Sequence, residues 1–141
     1  MDLKGLCTLA MVDAVGTTIK AAAASTGTAA TDSPKIIFYE GSTALVTLTI
    51  PAESTDNITA IFPTRVFNDT TGCTADFTTI ASTTAAVSGS VDGFSVFQTL
   101  TGATVLTGTV ATTGGDINFN TTSWDVGDNI SITALSFFMP K

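Results

Sequence analysis

The apolar positions of this chain change period once. From Leu3 to about residue 20, the residues Leu3, Leu6, Cys7, Ala10, Met11, Ala14 and Val15 recur at spacings of three and four. That spacing predicts one helix with an apolar stripe. Asp2 stands where a cap belongs and Gly16 is placed to end the helix. The polar side carries Lys4, Thr8, Asp13 and Thr17. A helix this short is marginal alone, so it needs a surface to lie against.

Residues 21–33, AAAASTGTAATDS, are low in complexity and read as an arm. From Pro34 the period becomes two. Ile36–Tyr39, Ala44–Ile50, Ile58–Phe62, Phe77–Ile80, Thr83–Val87, Phe94–Thr99, Val105–Val110, Asp116–Phe119 and Ile130–Met139 read as short strands. Turn chemistry separates them at Glu40–Ser42, Asn68–Gly72, Thr101–Gly102, Thr112–Gly115 and Gly127–Asp128. Short strands with turns every 8–12 residues or so predict an all-β, antiparallel sandwich, jelly-roll-like, with a short N-terminal helix. The chain then divides into a helix and arm at 1–33 and a β body at 34–141, a body expected to fold without residues 1–33.

The last strand is the longest. Ile130, Ile132, Ala134, Ser136 and Phe138 fall on one face, and Leu135, Phe137 and Met139 on the other. One face belongs in the core. The other meets either the N-terminal helix or another chain. Leu3, Leu6, Ala10 and Met11 on the helix, with Leu135, Phe137 and Met139 on the strand, are therefore the candidate interface residues.

Composition narrows the chemistry. The chain has no histidine, charge on 12% of its residues, and threonine at about a fifth of its positions. Without histidine there is no Ser–His pair, and the commonest metal ligand is missing. No phosphate loop or paired-cysteine motif appears. No catalytic, cofactor-binding or metal-binding residue is assigned, and the protein is not expected to be an enzyme or to need a cofactor.

The net charge of −7 comes from scattered single acids, which read as a mutually repelling surface. Lys4, Lys20, Lys35, Arg65 and Lys141 lie too far apart in sequence to write a basic stripe, so nucleic acid is not an expected partner. No run is long enough to predict a membrane span, and the start, Met1–Gly5, lacks a signal-peptide pattern. Cys7 and Cys73 are expected as free thiols. Asp125–Asn129 has a calcium-loop flavour but lacks the later Glu, so it reads as a turn with Asx-type bonding. Trp124 reads as a core plug; its alternative is a stacking platform for a sugar ring.

The helix Leu3–Val15, the step Tyr39-Glu40-Gly41 and the Leu/Thr-rich strand Leu45–Ile50 resemble small virion proteins of tailed bacteriophages, as do Val105–Val110, Gly114–Asn120 and Val126–Ile132 at the end of the chain. The resemblance runs over most of the length; the Ala/Thr tract at 21–33 departs from it. It implies a capsid decoration (cement) protein made in the host cytoplasm and placed on the capsid surface of the virion. The implied partners are the major capsid protein and sister copies, with a trimer at a local three-fold position as one arrangement that closed symmetry allows. The alternatives are a tail or fibre component, or a carbohydrate-binding module.

Overall fold

A computed structural model of the protein describes residues 3–20, 33–51, 60–68, 70–98 and 102–140, with backbone alone for residues 3–8 and 20. Asp2, most of the Ala/Thr arm and Ile58 lie outside the described residues. The elements are α1 (Leu3–Lys20), then β1 (Lys35–Glu40), β2 (Thr43–Thr49), β3 (Thr64–Asn68) and β4 (Gly72–Asp76). After them come β5 (Thr83–Thr84), β6 (Gly89–Ser90), β7 (Gly93–Gln98), β8 (Ala103–Ala111), β9 (Ile117–Asn118), β10 (Ser123–Trp124), β11 (Asn129–Ile130) and β12 (Ser136–Pro140). Among the described residues the class is all-β with one helix, as the change of period predicts.

The larger sheet has five strands in the order β2-β1-β7-β8-β9. Period-two patterning turns one face inward: Ile36 and Phe38 of β1, Val46 and Leu48 of β2 and Val96 of β7 are all buried. Asp92 fastens its β1–β2 turn, because Gly41 N donates to both carboxylate oxygens at 3.1 and 3.0 Å. The smaller sheet has three strands, β12-β4-β3, and the pairs β10-β6 and β11-β5 complete the pairing.

One pair departs from the antiparallel expectation. β8 and β9 run parallel, with Val110 opposite Ile117 and Ala111 opposite Asn118. The chain loops through 112–116 and returns alongside its own strand. Side chains fix that loop. Asp116 Oδ2 accepts from Thr109 N at 2.8 Å and from Thr109 Oγ1 at 2.9 Å. Asn118 Oδ1 accepts from Gly115 N at 3.0 Å, and its Nδ2 donates to Gly115 O at 3.2 Å.

Three other expectations are corrected. Ala60–Phe62 is not a strand; Ile61 and Phe62 enter the core from a turn. The strand expected at Phe77–Ile80 lies earlier, as β4. The strand expected over Ile130–Met139 is two, because its halves pair with different partners, β11 with β5 and β12 with β4.

α1 keeps the predicted span, but Gly16 does not end it; it is a buried position inside the helix. The buried face also differs from the predicted stripe. Val12 and Ile19 are fully buried, with Leu9 and Val15 packed beside them, while Ala10, Met11 and Ala14 are exposed. Apolar residues stand nearly all round this helix, so spacing alone could not choose the face. α1 contacts β7 and β8 of the larger sheet and β3, β4 and β12 of the smaller one. Asp13 pairs with Arg65 of β3 at 2.6 Å, and Gln98 Nε2 of β7 donates to Thr18 O at 2.7 Å. Helix and sheets share a single buried cluster.

Candidate interface

The smaller sheet positions the apolar groups that remain outside. Its register aligns Phe137–Ala75–Arg65 and Met139–Cys73–Phe67 in two rows. These rows face inward: Ala75 and Cys73 are buried, Phe137, Met139 and Phe67 pack on the core, and Arg65 reaches Asp13 of α1. Phe137 stacks on Phe62 with ring centroids 6.3 Å apart. Alternation sends the intervening rows outward. They are Ser136–Asp76–Thr64, Phe138–Thr74–Val66 and Pro140–Gly72–Asn68.

The middle outward row is apolar at both ends. Phe138 is 51% exposed and Val66 is 58% exposed, with Thr74 between them. Asp76 is the one charged residue among the nine outward positions, and it accepts a hydrogen bond from Ser136 Oγ at 2.6 Å. The turn beside this face is held by Asn68, whose Oδ1 accepts from Thr70 N at 2.8 Å and Thr71 N at 3.1 Å. On a chain of net charge −7, this is a patch with one charge, Asp76, and an apolar centre.

The seven candidate residues separate on this frame. Leu135, Phe137 and Met139 belong to the inward side, so the back of the last strand meets the core and α1, the first of the two arrangements the sequence allowed. Ala10 and Met11 are exposed on α1, Met11 at 54%. The side chains of Leu3 and Leu6 lie outside the described residues. Phe138, expected on the core side of its strand, is the outward residue. Its partner Val66 was not a candidate; the signal was the alternation Arg65–Val66–Phe67, which becomes decisive only once β4 is known to lie beside it.

Reactive groups are few. Cys73 is a free, buried thiol; burial raises its pKa, Asp13 raises it further, and Arg65 opposes both. A raised thiol pKa leaves little nucleophilic thiolate. Asp125–Asn129 is a turn: Asp125 N donates to Asp128 Oδ2 at 2.8 Å, and Gly127 takes a φ of 94° that favours glycine. Among the described residues no three of His, Cys, Asp and Glu lie together as a metal site, and no helix is long and apolar enough to cross a membrane.

Trp124 is a core residue, 4% exposed, packed edge-on to Phe38 at 5.8 Å and Phe119 at 5.2 Å. Its Nε1 donates to Thr121 O at 3.2 Å. It therefore offers no open face for stacking. No family model, curated protein or solved structure matches the chain.

Proposed function

We propose that this protein is a structural component of a tailed-phage particle: a capsid decoration protein that stabilises the shell by bridging capsid subunits without covalent bonds. The observation that carries this reading is the outward face of the smaller sheet, uncharged but for Asp76 and apolar along Val66–Thr74–Phe138. Three strands of five residues present a footprint of about 14 by 17 Å. A stable pairwise interface buries about 800 Å² per partner, several times that area. One such contact is weak alone and becomes strong only where one molecule, or an oligomer of it, makes several at once on a lattice. The sequence resemblance points to the same setting, and scattered acids with few bases suit a shell exterior. We read the architecture as a jelly-roll-like sandwich, the larger sheet facing the smaller with α1 wedged against both.

The test is reconstitution. Purified protein is added to phage capsids that lack it, and co-sedimentation is measured with copy counting by mass spectrometry. Shell-wide occupancy is expected, and Val66→Asp with Phe138→Asp should abolish attachment while leaving the fold intact. Attachment by the double variant would remove this face from the contact. A handful of copies per particle would move the protein to the tail.

A further inference from the structure

We propose that the hollow beside Trp124 is a binding site for a neutral saccharide. This goes beyond the shell role and stands or falls separately from it. The hollow, about 480 Å³, lies between the 117–121 segment and the 128–134 segment. Its volume is in the range of small-molecule sites, roughly 300–1,000 Å³.

The floor and the rim differ in kind. The floor is apolar: Ile117, Trp124 and Ile130 are buried, and the half-buried ring of Phe119 is the most accessible aromatic surface there. Phe119 is held edge-on between Phe38 at 5.5 Å and Trp124 at 5.2 Å. The rim is made of amides, hydroxyls and one carboxylate, with Ile132 and Ala134 among them and no lysine or arginine. A sugar ring has this same division, an apolar C–H face and a hydroxyl edge, and aromatic rings with one wet side suit it.

The rim is also fixed in advance. The two hydrogen bonds between Asn118 and Gly115, one accepted by Oδ1 and one donated by Nδ2, orient the Asn118 amide, and each amide atom has one further bonding position. Asp128 Oδ2 is engaged by Asp125 N, which leaves the second oxygen of that carboxylate as an acceptor. Thr121 is held by Ser123 N, which donates to Thr121 Oγ1 at 3.3 Å. Groups already held in place lose little freedom when a ligand arrives. An anion is disfavoured by Asp128 and by the net charge of −7; a multivalent cation would find a single carboxylate.

Trp124 is the only tryptophan in the chain and lines both this wall and the core, so its emission responds to a ligand in the hollow and the amide shifts tell that response from a change in packing. The full-length protein is titrated with glucose, galactose, N-acetylglucosamine and maltose while Trp124 fluorescence and the amide shifts of Phe119 and Asn120 are followed. A saturable response to at least one sugar is expected. Ala134→Phe, which fills the hollow from an exposed position, should weaken it at least tenfold with an unchanged melting temperature. Asn120→Ala should weaken it less. Silence with all four sugars overturns the proposal, as does a response that Ala134→Phe leaves intact. A response to calcium chloride or tetramethylammonium in place of the sugars overturns it too.

Discussion

The ring of Phe94 on β7 lies over Gly108 of β8, its cross-strand partner. A Cβ at position 108 would meet Phe94 Cζ at 2.8 Å and Asp116 Oδ2 at 2.9 Å. Glycine is needed here for space, and the aromatic ring covers the gap that glycine leaves in the sheet.

Gly108→Val should therefore destabilise the protein by about 1–3 kcal/mol, the usual cost of overpacking. Urea denaturation would measure it. The double variant Gly108→Val with Phe94→Ala should recover part of the loss, since the two residues share one space.

Phe38 is the centre of the aromatic cluster, fully buried against Phe94, Phe119 and Trp124. Phe38→Ala should cost about 3–5 kcal/mol. Trp124→Ala removes a core side chain and should lower thermal stability as well, so any loss of ligand binding in that variant reports on folding. Calorimetry of both variants checks this.

α1 is fastened to the sheets by burial more than by charge. Ile19→Ala should cost about 2–5 kcal/mol. The Asp13–Arg65 pair is partly exposed, so Asp13→Ala should cost at most about 1 kcal/mol. Deleting residues 1–33 strips Val12 and Ile19 from the common core and should unfold or markedly destabilise the rest, against the expectation of a self-sufficient body. Circular dichroism melts of the three variants rank these effects.

Asp116 has its carboxyl pKa lowered, first by the Thr109 backbone N–H and then by the Thr109 hydroxyl. A carboxyl group lowered in the folded state contributes stability that is present above its unfolded pKa and lost as pH falls through the folded one. The 109–118 loop should thus loosen on the acid side of the ordinary carboxylate range. The protection factor of the Thr109 amide, its exchange rate by NMR normalised to the intrinsic rate at each pH, should fall there. Asp116→Asn should flatten that dependence.

Much of the architecture was legible where side chains are bulky. β1, β2, β7 and β8 are built from Ile, Val, Phe and Leu at alternate positions, and their pattern predicts them nearly to the residue. β4 was not legible, because Gly72, Cys73 and Ala75 bring no β-branched bulk and the strand exists through its two neighbours. The split of the last strand was hidden for a related reason. Its one mark in the sequence, the shift of the large apolar residues from even positions (Ile130, Ile132) to odd ones (Leu135, Phe137, Met139), acquires its meaning only from the change of pairing partner. The helix face was ambiguous because the helix touches both sheets. The core role of Trp124 and the Asx turn at 125–129 followed from chemistry that needs no partner strand.

α1 packs against β12, so the first and last elements of the chain are neighbours. During synthesis α1 is made before β12, and its docking surface is completed only once β12 is available. Contacts that span the whole length slow folding, since the chain must close its largest loop to form them. Until β12 is made, α1 therefore lacks part of the surface it docks on.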